Sequence, residues 1–558
     1  MFDRAGRWPD RPMLRTFRDN CWHATTWAEF ARAAASLARN LRAAGLRLGD
    51  RIVIVSENRP EYPIAETALM AIGAVPVPAY VTNTVEDHTH VIRDSGARAA
   101  IVSTRLLAER LWGAASQTDS LDLLVVMEDM KPDASGRPRL LRWTDLVRDS
   151  ASPDDIARDA GQIAPDALAC LIYTSGTGGA PKGVMLTHRS ILSNCRGAFE
   201  LLRPLGLRDG VYLSYLPTAH SYEHTVGLFF LPSIGCEIVY ARGVEHLAAD
   251  LLAVRPTILT AVPRVLEVIH ARVLGQVARQ AVWRRALFQG AVAMGLKRID
   301  GRRLNAAESV LDRLLDRVVR AKVRARFGGR LLGVMSGGAR LEPDVGRFFL
   351  ALGVPVMQGY GQTEAGPVIS ANPPDAIRID TVGRALDGVE IRIAEDGEIL
   401  VRGDLVMAGY WGRPNDTSTA IRDRWLCTGD IGELDPDGYL RITDRKKDII
   451  VLSGGENVSP ARIEGMLTTE PEIAQAVVVG DGRAGLSALI VAAEGCDEPA
   501  VAVAVSRVNM RLSVTERLRR HALVGPFTIE NGLLTPSHKV RRLAVVRANA
   551  DVVGKLHA

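Results

Sequence analysis

The chain of 558 residues is 47% hydrophobic and 24% charged, which predicts a globular protein with an ample core and more than one domain. Its 69 Lys and Arg against 64 Asp and Glu leave a net charge of +5, too small for this length to indicate a nucleic-acid partner. Six cysteines without paired spacing predict free thiols and no cysteine metal site, and the lack of a secretory signal or an apolar run of ~18 residues predicts a cytoplasmic protein that does not span a membrane.

The N-terminal part begins with a helix pattern followed by a strand pattern. Residues 26–45 predict a helix in which Thr26 and Glu29 form a capping box. Residues 51–56, Arg-Ile-Val-Ile-Val-Ser, predict a buried strand. This alternation is typical of βαβ units, so we expect an α/β fold.

Residues 173–183, Tyr-Thr-Ser-Gly-Thr-Gly-Gly-Ala-Pro-Lys-Gly, combine three Ser or Thr hydroxyls, four glycines and Lys182. Open backbone, hydroxyls and an ammonium group together suit phosphate, so the loop predicts a polyphosphate nucleotide as ligand. The apolar flanks 168–173 and 184–186 predict that the loop joins two strands. A P-loop is excluded because Lys182 is followed by Gly183 and a strand, not by Ser or Thr and a helix. The alternative is a flexible surface turn.

The segment between residues 279 and 330 is strongly basic, with fourteen Lys or Arg against four Asp or Glu. Its apolar residues recur at helical spacing: Ala307, Val310, Leu311, Leu314, Leu315 and Val318. The pattern predicts a basic amphipathic helix, which would allow peripheral contact with an anionic bilayer at the inner membrane face. The alternative is that the apolar face packs on the core and the arginines are a solvated outer face.

Further motifs follow along the chain: Ser-Gly-Gly-Ala at 336–339, Gln-Gly-Tyr-Gly-Gln-Thr-Glu at 358–364, Trp-Leu-Cys-Thr-Gly-Asp at 425–430, Thr-Asp-Arg-Lys-Lys-Asp-Ile at 443–449, Leu-Ser-Gly-Gly-Glu-Asn-Val-Ser-Pro at 452–460 and Asn-Gly-Leu-Leu-Thr-Pro-Ser-His-Lys at 531–539. Together with the loop at 173–183, this ordered set resembles the adenylate-forming, or AMP-binding, superfamily. The motifs at 213–223, 261–266 and 531–536 look most like those of its long-chain fatty-acyl-CoA ligases.

The resemblance implies two domains. Residues 1–443 would form a large N-terminal domain of βαβ-type sheets that binds AMP and holds an acyl pocket, and residues 444–558 a small, mobile C-terminal α+β lid. The implied reaction converts a medium- to long-chain fatty acid and ATP to acyl-AMP and pyrophosphate, and then transfers the acyl group to coenzyme A. ATP, Mg²⁺ and coenzyme A are the expected ligands, and the oligomeric state stays open.

The resemblance also implies roles for residues of the N-terminal domain. Thr174 and Glu364 would hold Mg²⁺, while Lys182 and Ser175 would contact the β- and γ-phosphates, since phosphoryl transfer depends on such clamping. Tyr360 would stack on adenine. The remaining predicted nucleotide-binding residues of this domain are Gly176, Thr177, Gly337, Gly338, Ala339, Gln358, Gly359, Gly361 and Thr363. His220 would line the acyl carboxylate site, or alternatively serve only the structure.

Further implied roles concern residues near and within the lid. Asp430 would accept hydrogen bonds from the ribose hydroxyls, and Arg445 would lie nearby. Lys539 would act in catalysis by bridging the attacking carboxylate and the α-phosphate; the alternative is an exposed loop. Lys447 would be the hinge of the lid; the alternative is a solvated run of charges.

The sequence departs from the family pattern at Gly178, where a second Thr is usual, and at His224, where close relatives often have Arg. Two other functions stay open. A fatty-acyl-AMP ligase would load a carrier protein instead of coenzyme A. A degenerate nucleotide-binding protein, which Gly178 and the short lid suggest, would catalyse neither step.

Overall fold

The computed structural model describes residues 1–129, 138–148, 151–174, 180–207, 209–454, 456–535 and 539–557. The chain forms two compact units. The first comprises residues 1–174, 181–390 and 401–426, and the second residues 175–180, 391–400 and 427–558. The domain boundary expected after residue 443 stays a prediction.

The first unit contains a mostly parallel sheet of nine strands. Its central strands are parallel to one another, and antiparallel strands lie at both edges. In spatial order the strands are Arg384–Ala385, Val368–Ala371, Val356–Gly361, Gly333–Ser336, Ile258–Ala261, Val211–Ser214, Glu237–Tyr240, Pro12–Arg18 and Cys21–Thr26.

Two smaller sheets complete the strands of this unit, apart from the short strand Ile421–Arg422. A parallel sheet of five strands has the order Val75–Ala79, Arg51–Val55, Ala99–Val102, Leu123–Val126 and Arg139–Arg142. An antiparallel sheet of three strands has the order Gly409–Tyr410, Lys182–Thr187 and Leu168–Thr174. Buried Val, Leu and Ala side chains fill the space between the parallel strands and their helices, as expected for strands covered on both faces.

The helices of the first unit connect these strands. They are Phe2–Arg7, Trp27–Ala43, Glu61–Ala71, Val85–Ser95, Arg105–Ala115, Trp143–Val147, Pro153–Ala160, His188–Leu202, Ser221–Thr225, Leu231–Ser233, Leu247–Val254, Pro263–Ala278, Val282–Ile299, Ala306–Leu315, Ala321–Arg326, Pro343–Ala351 and Pro414–Ala420. Short 3₁₀ turns lie at Arg203–Leu205, Val244–His246 and Thr363–Ala365, and π-helical turns at Val226–Phe230 and Asp316–Arg320. No helix within the described ranges is both long and apolar enough to cross a membrane.

The second unit is an α+β structure with its own buried core. Strand Trp425–Leu434 pairs antiparallel with Leu440–Arg445, and Ile450–Val451 pairs with Asn457–Val458. A three-stranded sheet has the order Ile473–Val479, Leu486–Ala492 and Leu518–Leu523. The other strands are Glu390–Ile393 and Glu398–Arg402, and the helices are Pro460–Thr468, Glu498–Asn509, Val514–Glu516, which is a 3₁₀ turn, Arg542–Ala548 and Ala550–His557.

The expected fold class is confirmed, and so are the local predictions near the N-terminus. The helix Trp27–Ala43 begins after Thr26, whose side chain accepts from the backbone N–H of Glu29 in a complete capping box. The predicted strand at 51–56 is Arg51–Val55. The glycine-rich loop joins two antiparallel strands, as the apolar flanks predict.

The single basic helix expected within residues 279–330 is wrong in extent, because the segment forms two helical stretches. Val282–Ile299 ends before a turn in which Gly301 has a φ of +70°. The next helix begins at Ala306, where the Asn305 side chain and Glu308 form a second capping box. Asn305 is thus a start signal inside the basic segment, just before the apolar pattern that begins at Ala307, and a helix that begins at a capping residue cannot continue the one before it.

Parallel strands of the large sheet place several of the predicted residues of the first unit at one edge. The strands ending at Ser214, Ser336 and Gly361 are parallel members of the large sheet. Ligands of open α/β sheets bind outside the carboxyl ends of such strands. The residues that follow these ends include His220, Gly337, Gly338, Ala339, Thr363 and Glu364.

Candidate active site

The glycine-rich hairpin, defined as strands Leu168–Thr174 and Lys182–Thr187, presents two predicted residues at its loop end. Thr174 and Lys182 are direct cross-strand partners, so the hydroxyl and the ammonium group flank the loop between them. The predicted residues Ser175, Gly176 and Thr177, and the departure at Gly178, lie outside the described residues.

Lys182 is held by two residues of the segment that pairs with the hairpin. Its Nζ lies 2.9 Å from Asp416 Oδ2 and 5.1 Å from the centroid of the Tyr410 ring. Gly409–Tyr410 pairs antiparallel with Val184 and Met185 of the hairpin, which places the ring beside the lysine. The ammonium group therefore sits in an ion pair that stays partly exposed.

Glu364 is joined to the same cluster through Tyr410. The Tyr410 hydroxyl donates a hydrogen bond of 3.0 Å to Glu364 Oε1, and the Met407 backbone N–H donates to the Glu364 carbonyl at 2.9 Å. Burial, followed by the charge of Glu364, raises the pKa of Tyr410, so its hydroxyl keeps the proton that it donates. Lys182, Tyr410, Asp416 and Glu364 thus form one cluster in the first unit.

The three small residues at 337–339 differ in their surroundings and in what the structure requires of each. A Cβ on Gly337 would lie 3.3 Å from the Tyr222 ring, so this glycine permits the ring to pack closely. Gly338 has a φ of +83°, a conformation that strongly favours glycine, while Ala339 is exposed. A Cβ on Gly361 would lie 1.8 Å from the carbonyl oxygen of Pro367, so backbone packing alone requires glycine there.

Strand Val356–Gly361 supplies two further predicted side chains. Tyr360 is buried at 9% exposure. Gln358 is also buried, and its side chain donates to the Ile379 carbonyl and accepts from the Leu341 N–H at 3.4 Å. The Gln358 amide therefore ties together the segments on either side of its strand. Gly359 pairs in register with the neighbouring strand Val368–Ala371.

His220 lies at the start of the short helix Ser221–Thr225. Its Nδ1 accepts from the Tyr222 backbone N–H at 3.2 Å and so caps the helix. In the same helix, Ser221 Oγ lies 2.9 Å from Thr363 Oγ1, and the Tyr222 hydroxyl donates to the Met335 carbonyl at 3.0 Å. These contacts bring His220 next to the residues that follow the two central strands.

His224, where the sequence departs from the family pattern, has a buried partner. His224 Nε2 lies 2.8 Å from Glu66 Oε1, and both side chains are almost completely buried. A second buried acid lies next to His224 in sequence: Glu223 accepts from Tyr212 at 2.5 Å and from Ser214 at 2.7 Å. Burial raises the pKa of Glu223 to about 7, against the opposing effect of these hydrogen bonds.

In the second unit, Asp430 and Arg445 lie together as the resemblance implies. They are cross-strand partners, and Arg445 Nε lies 3.2 Å from Asp430 Oδ1. Asp430 is buried, whereas Arg445 is exposed. The next residue, Lys446, pairs with Asp396 and Glu398 at 2.6 and 2.8 Å, so this part of the charged run is not simply solvated.

The two predicted lid lysines are both exposed. Lys447 lies in the turn after strand Leu440–Arg445, a position where a hinge can act, and its role stays a prediction. Lys539 follows residues 536–538, which lie outside the described chain. Its backbone N–H donates to Thr535 Oγ1 at 3.0 Å, and its carbonyl accepts from the Thr535 N–H at 2.8 Å, so the Lys539 backbone is held by Thr535.

Comparison with known families assigns most of the chain. Residues 1–411 match the family described as AMP-binding enzyme. The chain belongs to this family. Residues 447–558 match the AMP-binding enzyme C-terminal domain, so the resemblance inferred from the motifs is confirmed.

This AMP-binding enzyme is similar over nearly its whole length to curated ligases. It is 33% identical to the long-chain-fatty-acid–CoA ligase FadD15 of Mycobacterium tuberculosis, covering 98% of this chain and 95% of that one. It is 28% identical to the long-chain-fatty-acid–[acyl-carrier-protein] ligase AEE15 of Arabidopsis thaliana, covering 96% and 82%. Among solved structures, the anthranilate CoA ligase AuaEII in complex with anthranoyl-AMP superposes with a TM-score of 0.76 at 20% identity, covering 99% and 97%.

The family implies ATP and Mg²⁺, and the cluster around Tyr410 fits them. Mg²⁺ is usually bound by one or two carboxylates, with substrate phosphates and water completing its shell. Within the described ranges, no group of three His, Cys, Asp or Glu could hold a metal ion alone. The Glu364 carboxylate, oriented by Tyr410, and the Thr174 hydroxyl would supply two Mg²⁺ ligands. The nucleotide phosphates and water would have to supply the others. O-succinylbenzoate CoA synthetase of Bacillus subtilis, 22% identical, has been solved with ATP and a magnesium ion.

Tyr410 and Asp416 are the members of the cluster that sequence analysis missed. They belong to none of the quoted motifs, and they reach Lys182 only because Gly409–Tyr410 pairs with the hairpin. The only local signal is a tyrosine directly after Gly409, whose φ of +137° requires glycine. A glycine at this position is consistent with an unusual backbone conformation, but it does not indicate which strand pairs with the segment.

Proposed function

We propose that this AMP-binding enzyme is an acid–thiol ligase that activates a medium- to long-chain fatty acid with ATP and transfers the acyl group to coenzyme A. The observation that carries the proposal is the convergence of Lys182 and Glu364 on Tyr410, which brings a carboxylate near the cation at the loop end of the glycine-rich hairpin. The fatty-acid class is supported by the 33% identity to FadD15 over 98% of the chain.

In the first step, a fatty carboxylate oxygen attacks the α-phosphorus of ATP, the bond to the β-phosphate oxygen breaks, and pyrophosphate leaves. Mg²⁺, when bound, neutralises charge on the phosphate oxygens. Lys182 would exchange Asp416 for the β- and γ-phosphates, because a partly exposed ion pair is weak. Glu364 would keep the orientation that Tyr410 gives it, which limits the reorganisation needed during the reaction.

We assign the remaining roles as the motifs imply. Lys539 would bridge the carboxylate and the α-phosphate, and its exposed side chain, on a backbone held by Thr535, supports this. Asp430, buried beside Arg445, would accept hydrogen bonds from the ribose hydroxyls. In the second step the thiol attacks the acyl carbonyl and AMP leaves, with Lys447 serving as the hinge between the two arrangements.

The acceptor is the point on which a second candidate function rests. AEE15, which is an acyl-carrier-protein ligase by name, matches 96% of this chain. A ligase that loads a carrier protein would share the adenylation step and differ only in the thiol. We favour coenzyme A because FadD15 is the more similar of the two relatives.

The test is ATP–pyrophosphate exchange with saturated carboxylic acids of increasing length, followed by thioester formation with coenzyme A. We expect exchange to increase with chain length and coenzyme A to release AMP and acyl-CoA. Exchange without thioester would favour the carrier-protein alternative. No exchange with any acid would refute the proposal and leave a non-catalytic nucleotide-binding protein.

We also propose that the reaction takes place in the cytoplasm. None of the six cysteines, all of which lie within the described residues, forms a disulfide bond, which suits a reducing compartment. ATP and coenzyme A are supplied there as well.

A further inference from the structure

The helical segment 306–326 exposes apolar side chains. It consists of Ala306–Leu315, the π-helical turn Asp316–Arg320 and Ala321–Arg326 in direct succession. Val310 is 66% exposed, Leu314 54%, Leu311 43% and Val318 38%, whereas Leu315 is 1% exposed. Of the predicted apolar face, only Leu315 packs in the core. The interpretation in which this face covers the core is therefore wrong for the other large side chains.

A buried ion pair and its hydrogen bonds hold the inner side of the same segment against the protein. Arg320 lies 2.6 Å from Asp312, and both are buried. Arg320 also donates to the carbonyls of Ala291 at 2.8 Å and Ala351 at 2.9 Å. Because this ion pair and its hydrogen bonds fix the rotation of the helix, the apolar side chains are held outward by the fold. We call Val310, Leu311, Leu314 and Val318 the apolar stripe.

The charge around the apolar stripe is positive. Every acidic side chain between residues 279 and 330 is in an ion pair: Asp300 with Arg347, Glu308 with Lys297, Asp312 with Arg320, and Asp316 with Arg324. Arg313 and Arg317 lie one turn apart next to the stripe and are exposed, and Lys322 and Arg326 are exposed further along. The stripe is thus flanked by cations whose charge the local acids do not neutralise.

An apolar stripe between basic side chains is the pattern of a helix that lies in the surface of an anionic bilayer. A second copy of the chain fits less well, because a two-fold contact through the stripe would bring Arg313 and Arg317 of both copies together. We propose that the apolar stripe and its basic flank dock the enzyme on anionic membrane lipid. The benefit of membrane docking rests on the proposed function: fatty acids concentrate in bilayers, so a docked ligase would be close to its substrate.

The first experiment measures co-sedimentation of the full-length protein with vesicles of phosphatidylcholine, with and without phosphatidylglycerol, at low and at high salt. We expect binding only to the anionic vesicles and its loss at high salt, because the Debye length shortens. Equal binding to both vesicle types, or no binding at low salt, overturns the proposal.

Two double variants test the two parts of the surface. Val310→Ser with Leu314→Ser should weaken partitioning at least about tenfold, since each removes apolar area that the lipid would bury. Arg313→Gln with Arg317→Gln should weaken it about 30-fold, since each basic side chain near an anionic leaflet contributes about fivefold.

Matched controls lie elsewhere in the first unit. Leu192→Ser replaces an apolar side chain that is 63% exposed on helix His188–Leu202. Arg196→Gln with Arg203→Gln makes the same change in net charge at side chains that are 80% and 69% exposed. The controls should bind vesicles as the wild type does. Equal losses in controls and stripe variants would overturn the assignment of this surface.

Two further measurements distinguish lipid docking from self-association and from a loss of catalysis. If sedimentation equilibrium shows a wild-type dimer that the stripe variant converts to a monomer, and vesicle binding is absent, a second copy occupies the stripe and the proposal fails. ATP–pyrophosphate exchange without vesicles, with a detergent-solubilised acid, should be equal in wild type and stripe variants. Loss of exchange in all proteins would refute the proposed function while leaving the vesicle result valid.

Discussion

Tyr410 provides the sharpest test of the candidate active site, because its hydroxyl contacts Glu364 while its ring contacts Lys182. Tyr410→Phe removes the hydrogen bond of 3.0 Å and keeps the ring beside the ammonium group. A hydrogen bond to a charged group contributes about 1.5 to 3 kcal/mol, which corresponds to a loss of roughly ten- to hundredfold in kcat/KM if the interaction is realised in the transition state.

The assay is ATP–pyrophosphate exchange as a function of Mg²⁺ concentration. We expect the Tyr410→Phe variant to need more Mg²⁺ for half-maximal exchange, because the Glu364 carboxylate loses one of the contacts that orient it and binds the ion less well. Thermal unfolding of the variant provides the check that the fold is intact.

A double-mutant cycle with Glu364→Gln is the matched control. If Tyr410 acts by orienting Glu364, then Tyr410→Phe should have little further effect in the Glu364→Gln background. An unchanged Mg²⁺ dependence in the single variant, or fully additive losses in the cycle, would refute the assignment of Tyr410 as a positioning residue.

Three further predictions concern the lid and the buried acid. Lys539→Ala should abolish acyl-AMP formation yet still convert supplied acyl-AMP and coenzyme A to thioester, and equal loss of both steps would contradict its role. Lys447→Pro should largely spare adenylation and slow thioester formation because proline fixes φ; wild-type rates for both steps would place the hinge elsewhere. Glu223 has a pKa of about 7 in the fold against about 4.3 unfolded, so the folded state binds the extra proton between these values. Wild-type stability should therefore fall, relative to Glu223→Gln, by on the order of 3 kcal/mol as pH rises from about 4 to about 8, and equal pH profiles in denaturant titrations would count against this.

Local signals predicted the elements whose causes lie within a few residues. The helix after Thr26 follows from its own capping box, and the hairpin follows from two apolar runs on either side of a glycine-rich loop. Thr174 and Lys182 could be placed together for the same reason. The extent of the basic helix was wrong because Asn305 starts a new helix within the basic segment.

Features that depend on long-range pairing could not be predicted in this way. Periodicity identifies an apolar helix face but cannot say which side the protein covers, and at Val310 and Leu314 an ion pair on the opposite side decides the answer. The partner of His224 is Glu66, which lies on a different helix. The sequence shows that His224 departs from the family pattern, but it does not show that a buried carboxylate pairs with this histidine.

The pairing of Gly409–Tyr410 with Lys182–Thr187 has a consequence for synthesis of the chain. The hairpin can form as soon as its two strands leave the ribosome, because they are adjacent in sequence. Its third strand is synthesised much later, so the edge of Lys182–Thr187 stays without its partner during most of translation. Open strand edges are templates for aggregation, and a chain that stops before residue 409 would present one permanently.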